Sequence, residues 1–285
     1  VRFPGRDISV IDLPGIYSLS PYTPEEIVTR NCLLKDDPDV IIDIVDATNI
    51  ERNLYLTTQI AELGKPVVIA LNMVDVLEKE GDRIDYALLS HELGLPVVPI
   101  SASKGRGVGE LVEKAVELAG RYDFVPVKNT YSRRVDAVLR DIEEALEEVE
   151  QSRPEHRRWT AVKLFEGDKV TWKQYQFTKQ QRDHIEFHIN EIETTKYIDR
   201  EMIIADERYK YICAACEKAV HKKHPQGFVT LSDKIDRVVT NKVLALPLFL
   251  LMMLFVFFVT FGPLGTFLNC LLYTSPSPRD STSSR

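Results

Sequence analysis

What most constrains the fold of this chain is an alternation that fills its first third. Short apolar runs at Ile8 to Leu13, Val40 to Val45, Val67 to Leu71 and Val97 to Ile100 are separated by helix-like stretches at Pro24 to Leu34, Arg52 to Leu63 and Tyr86 to Leu93. Most of the runs are rich in Val and Ile and do not alternate with polar residues, the pattern of strands buried on both faces. Strand–helix repetition of this kind predicts an α/β fold with a parallel sheet and right-handed crossovers. Gly109 to Ala119 reads as the closing helix, and Tyr122 to Val127, with Pro126, as a boundary.

Beyond that boundary the periodicity changes from buried strand to amphipathic helix. Tyr131 to Glu150 places Val135, Val138, Leu139, Ile142, Leu146 and Val149 on one face, the spacing of a helix packed on a core. Trp159 to Phe165, Gln180 to Thr194 and Asp206 to Val220 read as further helices of a small all-α domain. From Val243 to Pro278 there is no charged side chain, and Leu244 to Phe261 is almost wholly apolar. A bilayer core requires about 20 such residues in a helix, so this stretch predicts the start of a transmembrane helix. Lys234, Arg237 and Lys242 just before it suit a cytoplasmic N-terminal side. Cys270 to Asp280 reads as the translation of a transposase adapter used in sequencing libraries, and residues 270–285 are set aside on that ground.

Bulk composition excludes more than it assigns. A formal charge of -7 argues against a nucleic-acid partner, since phosphate binding needs concentrated Lys and Arg. Four scattered cysteines do not make a disulfide framework. Val1 to Val10 has charges and no apolar core, so it is not a secretory signal, and the soluble part reads as cytosolic and reduced.

Three polar motifs sit at the ends of predicted strands. Asp12-Leu13-Pro14-Gly15 ends the first run, Asn72-Met73-Val74-Asp75 follows the third, and Ser101-Ala102-Ser103-Lys104 the fourth. Ligands of open parallel sheets bind outside the carboxyl ends of strands. An Asp such as Asp75 can accept from guanine N1–H and the exocyclic amine, while the Asn72 amide reaches the purine edge; adenine presents the wrong donors. Backbone N–H groups of Ser101, Ala102 and Ser103 can face the guanine oxygen. In Asp-x-x-Gly, Asp12 can hold Mg2+ through water and the Gly15 N–H can approach a terminal phosphate. Asn-x-x-Asp alone is a weak signal, because both residues also favour strand ends. The triplet in this order specifies a guanine-nucleotide domain.

With Tyr17-Ser18-Leu19-Ser20 after the Asp-Leu-Pro-Gly, the stretch Asp46 to Leu54, the Leu71 to Asp75 run, Asp236-Arg237-Val238-Val239 and Gly262-Pro263-Leu264-Gly265, the chain resembles the ferrous iron transport protein B family. The resemblance covers nearly all of residues 1–269. It implies a Ras-like GTPase domain over 1–124, a helical domain over 125–228, and a juxtamembrane segment with the first transmembrane helix over 229–269. It also implies GTP/GDP and Mg2+ as ligands and Fe2+ as transported substrate. The location implied is a bacterial or archaeal cell inner membrane, with the lipid bilayer, self-association and small accessory iron-transport proteins as partners. The family's phosphate-binding loop, G-x-x-x-x-G-K-[ST], does not occur here: Gly64-Lys65 is followed by Pro66. That loop and the sheet's first strand are therefore expected upstream of Val1, most of the membrane domain beyond Asn269, and little nucleotide affinity from this chain by itself. Ile16 stands where Ras-like enzymes place a water-orienting Gln, so slow hydrolysis is expected and no catalytic residue is assigned. The alternative reading is a soluble regulatory GTPase of the ribosome-assembly type with a misread apolar tail.

Other signals read as structural. Cys213 and Cys216 form a lone C-x-x-C on what reads as the apolar side of a helix. His184 and His188 are spaced i,i+4 without a surrounding H-E-x-x-H, and His221 and His224 lie in a basic stretch. Gly105, Gly107 and Gly109 read as a lead into a helix, and Glu143, Glu144, Glu147 and Glu148 as a solvated face.

Overall fold

The computed structural model describes residues 2–3, 6–20, 23–119, 130–149, 154–221, 223, 239–241, 245–262 and 265. The boundary at Tyr122 to Val127, the basic residues Lys234, Arg237 and Lys242, and the tail 270–285 lie outside them. In chain order the elements are β1 (Arg2–Phe3), β2 (Arg6–Asp7), α1 (Pro24–Lys35), β3 (Ile41–Asp46), α2 (Ile50–Ala61), β4 (Val67–Asn72), α3 (Val74–Glu80), β5 (Arg83–Ile84), α4 (Tyr86–Leu93), β6 (Val97–Pro99), α5 (Val108–Ala119), α6 (Arg133–Glu147), α7 (Arg157–Glu166), α8 (Lys169–Gln174), α9 (Lys179–Lys196), α10 (Arg200–Ala219), β7 (Val220–His221) and α11 (Ala245–Phe261). They fall into two compact units, residues 1–223 and 224–285.

The first unit is organised on β4. Its residues Val67 to Leu71 are completely buried, and it pairs in parallel with β3 on one side and β6 on the other. Register places Asp46 of β3 beside Asn72 of β4, and Leu71 beside Pro99 of β6, so the carboxyl ends of all three strands reach one edge. One face of the sheet packs with α2 and α4 into a core that also takes in Trp159, Ile212, Cys216 and Ala219. The other face packs on α5 through Leu111, Ala115 and Leu118. Local chemistry starts the helices: Thr23 and Glu26 form a capping box on α1 with Pro24 at its first turn, and Thr178 and Gln181 form one on α9. Helices α6, α7, α9 and α10 supply a further apolar cluster around Leu139, Ile142, Phe165, Ile189 and Ile203.

Several expectations are corrected. Ile8 to Leu13 forms no strand: the segment is irregular, with Val10 and Ile11 about two-thirds exposed. An apolar run becomes a strand only when a neighbouring strand takes its backbone N–H and C=O groups in a ladder, and Ile8 to Leu13 belongs to no ladder among the described residues. Correspondingly, β3 is one edge of the three-stranded sheet among those residues, and it is buried on one face only. Ile41, Asp43 and Val45 point inward while Ile42 and Ile44 are exposed. Helices α3 and α8 were not anticipated, and α10 begins at Arg200, a turn and a half before the expected Asp206. Cys216 is buried but Cys213 is exposed, because α10 buries the stripe of Ile212, Ala215, Cys216 and Ala219 and Cys213 lies about 100° round the helix from Ile212.

In the second unit the apolar stretch is helical as expected, but α11 spans 17 residues. Among the described residues no helix is long and apolar enough to cross a membrane.

Candidate functional site

The parallel register delivers the second and third motifs to one edge of the sheet. Beyond Asn72 the chain turns through Met73, which adopts a left-handed conformation (φ 64°), uncommon for a side-chain-bearing residue outside functional turns. That turn starts α3 immediately, with Val74 buried and Asp75 in the first helical turn. The Val74 N–H donates to the Ile100 carbonyl (3.4 Å) and the Ile100 N–H to the Leu71 carbonyl (2.8 Å). These bonds hold the start of α3 against the end of β6.

Side chains then close the corner. Ser101, almost fully buried, donates from Oγ to Asp75 Oδ1 (2.9 Å), and the Ala102 N–H donates to Asn72 Oδ1 (3.1 Å). Lys104 Nζ lies 2.7 Å from Asp75 Oδ2. The Lys104 ammonium beside it and the Ser101 hydroxyl hold the Asp75 carboxyl below its ordinary range. A short 3-10 turn over Ala102–Lys104 and the Ser101–Arg106 bridge fold the loop back on itself, and Arg106 reaches Glu78 one turn along α3 (3.1 Å). Gly107 (φ +79°) completes the reversal; a Cβ there would collide with the Pro99 carbonyl oxygen. Gly105 is also left-handed (φ +68°), so both glycines are conformational requirements of the turn.

The next parallel strand adds a polar end to the same edge. Asp46, register partner of Asn72, accepts from the Thr48 N–H (2.8 Å) and hydroxyl (2.7 Å) and from Asn49 Nδ2 (3.4 Å). Burial alone would raise its carboxyl; these hydrogen bonds outweigh that and hold it low.

The first motif is placed differently. Asp12, Pro14 and Gly15 are exposed, while Leu13 and Ile16 pack against the main core. Asp12 makes no hydrogen bond to the Asn72–Asp75–Ser101 cluster among the described residues. Its segment is anchored further on, where the Leu19 N–H donates to buried Gln59 (2.6 Å) and the Arg52 guanidinium lies over the Tyr17 ring (4.6 Å). Asn72, Asp75, Ser101 and Ala102 are thus brought together; Met73 and Val74 shape the turn; Ser103 is exposed on the loop; Asp12, Pro14 and Gly15 are exposed on their own segment. Lys104 closes the Ser-Ala-Ser-Lys motif, and its contact with Asp75 is one that only the fold supplies. A groove of about 580 Å3 between α4, β6 and α5, lined by Tyr86, Ser90, Val97, Glu113 and Lys114, contains none of these residues.

Known proteins resemble this chain in sequence and in fold. The family model described as "Ferrous iron transport protein B" matches residues 1–115, and that of the "FeoB cytosolic helical domain" matches residues 131–221. The chain is 41% identical over 268 residues to the Fe(2+) transport protein A/Fe(2+) transporter FeoB fusion protein of Porphyromonas gingivalis, an alignment covering 89% of this chain and 31% of that protein. It is 32% identical over 259 residues to the Fe(2+) transporter FeoB of Escherichia coli, covering 88% and 32%. A GDP-bound mutant of the S. thermophilus FeoB G-domain superposes with a TM-score of 0.69 at 43% identity, covering 73% of this chain and 80% of that one. The mGMPPNP-bound NFeoB from S. thermophilus gives 0.66 at 43%, covering 76% and 80%. The chain spans about a third of the length of the curated relatives it matches.

Proposed function

The chain belongs to the ferrous iron transport protein B family, and from that premise we propose that it is the guanine-nucleotide-binding, cytoplasmic part of an Fe2+ transporter of the cell inner membrane. In this reading residues 1–124 belong to the guanine-nucleotide domain, 125–228 to the helical domain, and 229–269 lead toward the membrane. The match of a helical-domain model to residues 131–221 counts against a ribosome-assembly GTPase, which gives no reason for that appendage.

One observation carries the proposal: Asn72, Asp75, Ser101 and Ala102, distant in sequence, meet at the carboxyl edge of a parallel sheet. Asp75 would accept from guanine N1–H and the exocyclic amine, Asn72 would reach the purine edge, and backbone N–H groups of Ser101, Ala102 and Ser103 would face the guanine oxygen. Lys104 must release Asp75 Oδ2 for this to happen. Asp12 is exposed and makes no hydrogen bond among the described residues, which fits a ligand holding Mg2+ through water; the ion would supply charge neutralisation at the phosphates. Gly15 has open space around it, as an N–H approached by a phosphate requires. Ile16 is turned into the core, so it cannot orient a hydrolytic water, and slow turnover follows. The P. gingivalis relative's name joins transport proteins A and B in one chain, which supports a small accessory partner.

The test is a nuclear magnetic resonance titration of the full chain with guanosine and GDP against adenosine and ADP. Guanine ligands are expected to shift the amides of Asn72, Asp75, Ala102 and Ser103, weakly but selectively. Asp75→Asn should reduce guanine binding about tenfold or more and favour xanthosine, whose ring offers an acceptor to the new amide. Equal responses to guanine and adenine would overturn the assignment.

A further inference from the structure

The helical layer carries a group of side chains that the guanine site does not use. On α6, Asp141 precedes Ile142; on α9, His184 and His188 precede Ile185 and Ile189. Ile142, Ile185 and Ile189 are fully buried in one apolar cluster. The packing that buries them therefore sets the flanking residues at the rim where α6 meets α9. There, one carboxylate oxygen of Asp141 and one ring nitrogen of each histidine all lie within 4.8 Å of one another.

We propose that Asp141, His184 and His188 form a binding site for a divalent first-row transition-metal ion that clamps α6 to α9. Two imidazoles and one carboxylate are ligands of intermediate softness, the donor set that suits Zn2+, Fe2+, Co2+ and Ni2+ and leaves positions open for water; Mg2+ and Ca2+ prefer all-oxygen shells. Ligand atoms on a common ion stand roughly 3.3 Å apart at ordinary metal–nitrogen distances. Contraction from 4.8 Å needs only side-chain rotation, and Asp141 and His184 are exposed while His188 is half-buried, so rotation is unobstructed. The two imidazoles already lie edge to face, ring centres 4.6 Å apart, as expected of i,i+4 residues on one helix face. His188 Nδ1 faces Glu191 Oε2 at 3.8 Å, which directs its other ring nitrogen away from Glu191, and Glu191 is held in turn by Arg134 of α6 (3.6 Å). A carboxylate behind a ligating histidine is the usual outer partner of such sites. The i,i+4 histidine pair was visible in the sequence, but the third ligand comes from a helix about 40 residues earlier and only packing supplies it.

The experiment titrates the chelator-stripped full chain in detergent with Co2+, followed by visible absorption, then competes with Zn2+, anaerobic Fe2+ and Mg2+. One Co2+ per chain is expected, displaced by Zn2+, by Fe2+ only in excess, and not by equal Mg2+. Bound metal should raise the thermal midpoint of the wild-type chain only. His184→Ala and Asp141→Asn should each weaken binding by about tenfold or more, whereas His221→Ala, on β7, should not. Since Asp141 and His184 are exposed, both variants should keep the wild-type circular dichroism spectrum and metal-free midpoint. Loss on His184→Ala with none on Asp141→Asn would mean a chelate within α9 alone and would overturn the inter-helix site. Displacement by Mg2+, or unchanged binding in both variants, would overturn it as well.

Discussion

Asp43 shows what one buried group imposes on this fold. It sits in the middle of β3, on the face turned to α2, and accepts from the Thr57 hydroxyl (2.5 Å), its one hydrogen-bond partner among the described residues. Burial pushes its carboxyl from 3.8 up to about 6, against the opposing pull of that hydrogen bond. A raised acid is bound more tightly by protons in the folded state than in the unfolded one. Below pH 4 both states are protonated and the group costs nothing; as pH rises through about 6 the folded state must bury a charge, and stability is lost. A shift of about two units corresponds to roughly 3 kcal/mol. Asp43→Asn is therefore expected to stabilise the chain by about 2–3 kcal/mol at pH 8 and hardly at all at pH 4, in urea unfolding at both. An equal effect at the two pH values would show that Asp43 is not buried as a charge.

At the scale of elements, the base-reading corner depends on the reversal between β6 and α5. Gly107 is left-handed and touches the Pro99 carbonyl, so Gly107→Ala introduces both strain and a clash. The expected cost is about 1–3 kcal/mol, read as a lower thermal midpoint. Because the same turn holds Ser101 against Asp75, the variant should also lose the selective response to guanosine. Gly94→Ala is the control: it shares the positive φ but has open space for a Cβ, and should cost stability without changing base selectivity. If Gly107→Ala keeps full guanosine response, the turn does not position the site.

Residues 1–223 are joined across their layers by buried polar contacts as well as apolar ones. Arg208 of α10 has no exposure and pairs with Glu62 at the end of α2 (2.7 Å) and Glu166 of α7 (3.0 Å), while the Tyr131 hydroxyl donates to Glu62. Burial would favour a neutral guanidinium, but the two carboxylates outweigh it and drive its pKa well upward. Arg208→Met should cost about 3–5 kcal/mol because it strands buried carboxylates. Adding Glu62→Gln should recover part of that loss, so a double-mutant cycle with zero coupling would refute the network. Arg30 of α1 makes a second tie, to Asp168 (3.2 Å) and over the Trp159 ring (4.8 Å). Since the sheet's main core takes in Trp159, Ile212, Cys216 and Ala219, residues 1–124 expressed alone would expose that apolar surface together with Ile42 and Ile44 at the β3 edge. They are expected to aggregate or unfold without a cooperative transition, while residues 1–223 melt cooperatively; equal midpoints for the two would show the layers to be independent.

Local pattern settled much of this protein before any coordinates. Val- and Ile-rich runs gave β3, β4 and β6, apolar periodicity gave α6 and α9, and polar residues at strand ends marked Asn72, Asp75 and Ser101. These signals are local because burial and strand-end chemistry act on neighbours in sequence. The run at Ile8 to Leu13 misled for the complementary reason: apolar composition does not supply the partner that a strand's backbone needs. Tertiary structure alone decided that Lys104 occupies Asp75, that Ile16 faces the core, that Glu62 and Arg208 are buried together, and that Asp141 stands beside His184 and His188. Each of those contacts joins residues separated by at least one element, and their meeting depends on how helices and sheet pack, a relation that no window of sequence contains.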